Sequence, residues 1–313
     1  MSEPDVSIII TAYNSSEFIS SSIKSILNQS YKNFELIVVD DGSTDDTWNL
    51  IKSFEDDRIV PLQKFNEGAA AGRNFGIKYA KADLIAILDS DDLANPERLE
   101  IQVNFMDQYS DYVCIGSQGR AIDISGNFVY EINLPLSDVE IRSHLPYMPF
   151  IHPSIMFRKK PFYDIGGYPE YMLKAQDRVM INKLSSVGKF LNLKERLINY
   201  RIVPGSNSSR NTKEKKIIDN IINKVIKNDC IAIEDYQIIK NSIKNKTEND
   251  KHFDYHIFLS KKYLWNNYSL EEARDNIIKA LNYKKFNIEP YLLSIVSCLP
   301  EKIIENLYRI SKS

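Results

Sequence analysis

The chain has 313 residues, 43% of them hydrophobic and 26% charged, with a formal net charge of -2. That is too apolar for a disordered chain, and too evenly charged to point to a nucleic-acid partner. Cys114, Cys230 and Cys298 lie far apart and lack metal-ligand spacing, which fits a reducing, cytoplasmic setting rather than a disulfide scaffold. The segment MSEPDVSIIITAYN has no basic region followed by a long apolar stretch, and no window approaches about 18 apolar residues, so neither a signal peptide nor a membrane span is expected.

VSIII (6–10) is a short run of mostly β-branched residues, the pattern of a strand buried on both faces. Ile19, Ile23, Ile26 and Leu27 then recur at helical spacing. FELIVVD (34–40) reads as a second strand. STDDTWNLIKSF follows as a helix, with Ser43 as its N-cap and Asp46 three residues on, close to a capping box. RIVPL (58–62) is a weaker strand whose Pro61 suggests an edge position. In GAAAGRNFGIKYA, Gly68, Gly72 and Gly76 share one face of a predicted helix. Glycine costs about 1 kcal/mol in a helix interior, so this spacing predicts close backbone approach to a strand or a ligand. DLIAILD (83–89) is the next strand, and Asn95 and Pro96 supply N-cap and first turn for a helix burying Leu99, Val103 and Met106. YVCIG (112–116) is a further strand. The stretch 117–210 is irregular and proline-bearing, with a helix in AQDRVMINKLSSVG, and the remainder to 313 reads as helical. Strands alternating with helices predict an α/β fold: a mostly parallel, Rossmann-like sheet flanked by helices, followed by a helical C-terminal extension.

In such sheets ligands bind beyond the carboxyl ends of the strands, and here those ends read TAYN, DDGSTD and DSDD. In ILDSDD, Asp89, Asp91 and Asp92 surround Ser90, and the nearest cations in sequence are Lys81 and Arg98. Clustered carboxylates are costly without a counter-charge, and an all-oxygen cluster suits Mg²⁺ or Mn²⁺; alone, the stretch also reads as a solvated acidic turn. Asp40 and Asp41 form either a turn with a helix cap or an acceptor for a donor such as the imide N–H of a uracil. Asn66, Gly68 and Arg73 in FNEGAAAGRNFG belong either to helix packing or to a nucleotide or diphosphate site. The chain has no Walker pattern and no G-x-G-x-x-G after a strand, which argues against a P-loop enzyme and a dinucleotide dehydrogenase. Asp177, early in a helix, is either an acid favoured by the helix dipole or a general base. His152, in FIHPSIMF, is either a core histidine or a metal, donor or acceptor contact.

Taken in order, VSIIITAYN, SILNQSYKNFELIVVDDGSTDDT, NEGAAAGRNFGI, AILDSDDLANPERLE, IHPSIMFRK, IGGYPE and AQDRVMINKL resemble the family 2 inverting glycosyltransferases with the GT-A fold, over about 6–205. The resemblance implies a catalytic domain over 1–210, with a nucleotide-sugar half (1–116) and an acceptor half (117–210), and an extension over 211–313. It implies that Thr11, Ala12 and Tyr13 line the base, that Asp41 beside Asp40 reads a uracil, and that Arg73, with Asn66 and Gly68, lies at the nucleotide. It makes Asp91 and Asp89 the D-x-D pair, Asp91 on Mn²⁺ or Mg²⁺ and Asp89 on the ribose or a metal-bound water, with Ser90 and Asp92 beside them and His152 at the donor. Asp177 matches the catalytic base, although Gln176-Asp177 stands where the family has Glu-Asp. No Q-x-x-R-W follows, which implies single-sugar transfer. The implied partners are a nucleotide-sugar donor, a UDP-sugar first, and a saccharide or lipid-linked saccharide acceptor for a surface polysaccharide. A location in the cytoplasm or at the inner face of the plasma membrane follows, and the basic end ENLYRISKS (305–313) allows peripheral membrane contact. The alternative is a non-catalytic nucleotide-sugar or glycan-binding protein on the same fold. A sugar nucleotidyltransferase would open on a glycine-rich loop, which TAYNSSEF is not.

Overall fold

The structure, a computed structural model, describes residues 3–205, 212–243, 247–267 and 269–312. The expected boundary at 210/211, and the side chains of 308–313 in the basic end, lie outside the described residues. Among the described residues no helix is long and apolar enough to cross a membrane.

The first half alternates as β1 (Val6–Ala12), α1 (Ile19–Leu27), β2 (Phe34–Asp40), α2 (Thr47–Lys52), β3 (Ile59–Gln63), α3 (Ala69–Tyr79) and β4 (Leu84–Asp89). There follow β5 (Leu93–Ala94), α4 (Arg98–Gln108), β6 (Tyr112–Ile122), β7 (Phe128–Ile132), α5 (Asp138–Ser143), β8 (Met156–Arg158), α6 (Lys159–Asp164), α7 (Gln176–Leu184) and β9 (Lys189–Arg201). The C-terminal helices are α8 (Thr212–Asn228), α9 (Ile233–Ile243), α10 (Glu248–Lys262), α11 (Leu270–Tyr283), α12 (Ile288–Ser297) and α13 (Glu301–Lys312).

The sheet runs β3-β2-β1-β4-β8-β6-β9-β5, with β7 paired to β6. β1 pairs in parallel with β2 and β4, and β2 with β3. Beyond β4 the described pairings of β8 with β4 and β6, and of β5 with β9, are antiparallel. The sheet is therefore parallel in its first half and mixed as a whole. β3, carrying Pro61, is the edge strand, where a missing N–H is tolerated.

Strand alternation explains the two cores. Ile8 and Ile10 face one side of β1 and pack with Ile19, Ile23 and Ile26 of α1 and with Leu99, Val103 and Met106 of α4. Ile9 faces the other side, with Ile37 and Val39 of β2 and Ala70 and Ile77 of α3. Gly72 and Gly76 make the second contact close: a Cβ on Gly72 would lie 2.4 Å from Thr11 Cγ2, and one on Gly76 2.9 Å from Ile9 Cγ2. Gly68 does not share that face; it precedes the helix at φ 94°, with open space where a Cβ would be. Two helix starts also differ from expectation. α2 begins at Thr47, where Asp45 accepts from the Thr47 N–H (3.0 Å). α4 begins at Arg98, with Asn95 Oδ1 accepting from Glu97 N (3.0 Å).

The chain divides into two compact units. The first comprises residues 1–119, 132–200 and 217–239; the second comprises 120–131, 201–216 and 240–313. Within the first, Ile218, Ile221, Ile222 and Val225 of α8 pack with Met172 and with Val179 of α7. Within the second, Tyr255 Oη accepts from Ile124 N (3.1 Å) of the 120–131 segment, and Lys262 lies 4.3 Å from the Tyr130 ring centroid. α10 and α11 are joined there by a buried contact of 2.9 Å between His256 Nδ1 and Asn276 Oδ1.

Candidate functional site

Parallel pairing brings the carboxyl ends of β1, β2 and β4 to one edge, as the sequence predicts, and polar contacts tie the loops that leave them. Asp41 N donates to Ala12 O (2.8 Å), and Asn14, at φ 48°, donates its N–H to Ser43 Oγ (2.9 Å). Asn14 Oδ1 accepts from Thr44 N (2.8 Å). Ser43 thus serves the first loop rather than capping α2. Ser15 Oγ meets Ser90 Oγ at 2.8 Å, and Ser22 Oγ donates to Ser90 O at 2.8 Å. Ser90 braces the turn after β4 against the loop after β1 and against α1. Thr11 and Ala12 form the floor of the edge, while the Tyr13 side chain stands 50% exposed.

The acids after β2 are buried. Asp40 accepts from Gln63 Nε2 (2.9 Å) and Ser43 N (3.2 Å). Asp41, 2% exposed, accepts from Gly68 N (2.8 Å), Glu67 N (3.2 Å) and Lys64 Nζ (3.1 Å). Asp41 therefore shapes the start of α3, and Lys64 gives it a counter-charge. The Gly42 turn, at φ 74°, packs so closely on this loop that a Cβ there would lie 2.7 Å from Asn66 N. Asn66 itself is exposed.

At the end of β4, Arg73 Nη2 donates to Asp89 Oδ1 at 2.8 Å, with side-chain exposures of 11% and 31%. Burial pushes the Asp89 carboxyl up, but Arg73, by charge and by its hydrogen bond, and Arg98 at longer range outweigh it and hold the group below the usual carboxylate range. The cation that the acidic turn lacks in local sequence thus comes from α3 and from the first residue of α4. Asp91 is half-buried and Asp92 fully buried, with Asp92 N donating to Asp89 O (3.2 Å).

His152 is buried, with Nε2 2.9 Å from Tyr168 Oη. Burial, then Arg73, pushes its imidazole down to about 4, so the ring is neutral at pH 7. Arg73 in turn lies 5.7 Å from the Tyr168 ring centroid. Arg73, His152 and Tyr168 all feel the charge of Asp177. Asp177 is half-buried on the first turn of α7, which starts from Ala175 at φ 57°, and its Oδ1 accepts from Arg178 N (2.9 Å). The structure therefore joins Arg73, Asp89, His152 and Tyr168 by direct contacts, with Asp177 within electrostatic reach of them. Asp40 and Asp41 form a second group at the other end of the loop that enters α3. Sequence reasoning missed Lys64, Ser15 and Tyr168. Tyr168 stood in the quoted IGGYPE; Lys64 and Ser15 carried no local signal.

Among the described residues no three or more His, Cys, Asp or Glu side chains are arranged to hold a metal by themselves. A divalent ion that keeps waters and substrate phosphates needs only one or two protein carboxylates. Asp91 and the accessible part of Asp89 match that donor set, so the residues present fit such an ion.

A parallel sheet edge that carries acids and an arginine marks an α/β domain of the kind whose ligands bind beyond the strand ends. The model of glycosyl transferase family 2 matches residues 7–166. The chain belongs to glycosyl transferase family 2. It is 33% identical to an uncharacterized glycosyltransferase of Rickettsia bellii over 230 residues, 72% of this chain and 33% of that protein. It is 44% identical over 114 residues, 34% of this chain and 45% of that protein, to the UDP-Glc:alpha-D-GlcNAc-diphosphoundecaprenol beta-1,3-glucosyltransferase WfaP of Escherichia coli. The crystal structure of S. aureus TarS 1-349 in complex with UDP-GlcNAc aligns over 98% of this chain and 92% of its own, with a TM-score of 0.58 and 18% identity. The fold is GT-A. The chain spans about a third of the length of the first of the curated relatives it matches.

Proposed function

We propose that the chain is a metal-dependent inverting glycosyltransferase that moves one sugar from a nucleotide sugar, a UDP-sugar first, to a saccharide or lipid-linked saccharide acceptor in surface polysaccharide biosynthesis. The observation that carries this reading is the grouping of Arg73, Asp89 and Asp177 at the carboxyl edge of the parallel strands. In this reading the Arg73–Asp89 pair lies at the diphosphate, and Asp177 is the acid available to the acceptor. The name of WfaP, a glucosyltransferase acting from UDP-Glc onto a diphosphoundecaprenol-linked sugar, supports the donor and acceptor classes. The same acceptor class gives reason for peripheral contact at the inner face of the plasma membrane.

In this reading Thr11, Ala12 and Tyr13 line the base, and Asp41, supported by Asp40, accepts its N–H. Asn66 and Gly68 shape the loop beside it. Arg73 faces the diphosphate. Asp91, with Asp89, holds Mn²⁺ or Mg²⁺, whose charge supplies stabilisation of the departing nucleoside diphosphate. Asp177 takes the proton from the acceptor hydroxyl, whose oxygen attacks the anomeric carbon as the bond to the diphosphate breaks, inverting the centre. His152, neutral and bonded to Tyr168, fixes the wall behind Arg73 at the donor. The catalytic domain is 1–210 in this reading, with 211–313 as its helical extension.

The test is release of nucleoside diphosphate from a panel of UDP-, GDP- and dTDP-sugars, with Mn²⁺ and with chelator. Metal-dependent release from one donor class is expected. Binding without turnover of any donor would make the chain a non-catalytic nucleotide-sugar binder, and absence of metal-dependent binding to all three would overturn the reading.

A further inference from the structure

Arg98 is the largest fully buried side chain of the described residues, and nothing in the proposed function uses it. Its Nε donates to Gln102 Oε1 (2.9 Å), and its Nη2 donates to Ile87 O (2.9 Å) and Ile155 O (3.2 Å). All three acceptors are neutral, and Nη1 is buried without a hydrogen-bond partner. Burial lowers the guanidinium to about 9, which leaves it cationic at neutral pH, and the charges that oppose this are Asp92 first and Asp89 next. A buried cation with only neutral hydrogen-bond partners costs several kcal/mol unless a counter-charge lies near. Its counter-charge is the acidic turn.

The acceptors also fix where the cation sits. Ile87 lies two residues before Asp89 on β4, and Ile155 closes the one-turn helix that starts at His152. Ile87 N donates to Ile155 O (3.1 Å), and Gln102 Nε2 donates to Ser154 O (2.8 Å). Arg98 therefore pins the end of β4 to the segment that carries His152, directly behind the turn that holds Asp89, Asp91 and Asp92.

We propose that Arg98 is a positioning residue for the metal and diphosphate end of the site: an internal counter-ion that holds the 89–92 turn in place without touching ligand. The inference rests on the proposed function. Three carboxylates drawn into one turn repel one another, and Arg73 and Arg98 offset that repulsion before any divalent ion arrives. Arg73 acts through a direct ion pair with Asp89, and Arg98 acts through space and through backbone carbonyls.

The test uses Arg98→Met, Arg98→Lys and Gln102→Met, with Mn²⁺-dependent UDP binding measured by calorimetry and thermal unfolding measured in parallel. Arg98→Met is expected to weaken binding about 10-fold or more, the size seen for outer-shell partners of metal ligands. Arg98→Lys, which keeps the charge and loses the fork, is expected to recover part of that loss. Gln102→Met, which removes a neutral bond to the same guanidinium, should lower the unfolding temperature and leave the metal-dependent affinity near that of the unmodified chain. Equal weakening by Arg98→Met and Gln102→Met, or unchanged binding in Arg98→Met, overturns the inference. If Arg98→Met does not fold, Arg98→Lys and Gln102→Met decide: binding weakened more by Gln102→Met than by Arg98→Lys overturns it. An unmodified chain that binds none of UDP, GDP and dTDP with Mn²⁺ overturns the functional reading and this inference together.

Discussion

The acids of the parallel strands and the acid of α7 are held in opposite ways. Asp40 and Asp41 are buried, and their oxygens accept from backbone N–H groups and from Gln63 and Lys64. Asp177 is half-buried and accepts from the N–H of its own neighbour, Arg178. Its helix is held from behind, where Arg178 Nη1 donates to Asp219 Oδ1 (2.7 Å) and Val179 packs on α8. The strand-end acids are thus fixed by strand register, and the acid on α7 by helix packing. Under the proposed function, recognition is rigid, while the base keeps lone pairs free for an acceptor proton.

Breaking the second side of this contrast has the largest effect. Asp177→Asn is expected to lower kcat by about 10²–10⁴-fold while leaving nucleotide affinity near normal, read from initial rates and from calorimetry with Mn²⁺. Full activity in that protein would remove Asp177 from the base role. A change in the turn after β4, which shares the strand edge with Asp40 and Asp41, should cost both readouts: under the proposed function Asp91→Ala is expected to lower turnover and metal-dependent UDP affinity by about 10²-fold each. Activity in that protein that no longer responds to chelator would show that Asp91 is not the ligand.

The third prediction concerns pH. Burial, then Arg73, lowers His152 from 6.5 to about 4, so the unfolded chain takes up a proton near pH 6.5 that the folded chain refuses until about pH 4. The stabilisation is present above pH 6.5 and is lost as pH falls toward 4, on the order of 3 kcal/mol in all. Urea denaturation of the unmodified chain and of His152→Gln at pH 7 and 4.5 should show that share of the slope missing in the variant. The smallest effect sharpens the packing side of the contrast. Gly76→Ala places a Cβ 2.9 Å from Ile9 Cγ2 and 3.0 Å from Val39 Cγ2, and overpacking of this kind costs about 1–3 kcal/mol. A denaturation midpoint unchanged from the parent would show that the seam yields.

Much of the first half was legible because its signals are local. β-branched runs marked the strands, Pro61 marked the edge, and Gly72 and Gly76 marked a close approach that the structure realises against Thr11 and Ile9. The order of strands with helices between them gave parallel pairing, and with it the convergence of three strand ends. What was not legible depends on partners distant in sequence. The antiparallel pairing of β8 with β4 and β6 joins segments about 70 and 40 residues apart, with no hairpin turn to announce it. Ser43 looked like a cap, but Asn14 claims its hydroxyl from the loop after β1. The cation for Asp89 lies on α3, reached only once α3 is laid against β1. Arg98 was visible as one of the two nearest cations in sequence, but its full burial behind the turn was not.

The glycine seam makes α3 a gauge of length. No side chain separates Gly72 from β1, so the helix cannot slide or tilt without meeting Thr11. Its start is bonded to Asp41 through Gly68, and Arg73, five residues on, is bonded to Asp89. At 1.5 Å per residue, those two anchor points are about 7.5 Å apart along the axis. Under the proposed function, a nucleotide meets Asp41 at one end of this segment and Arg73 at the other, and the seam keeps the two from shifting independently.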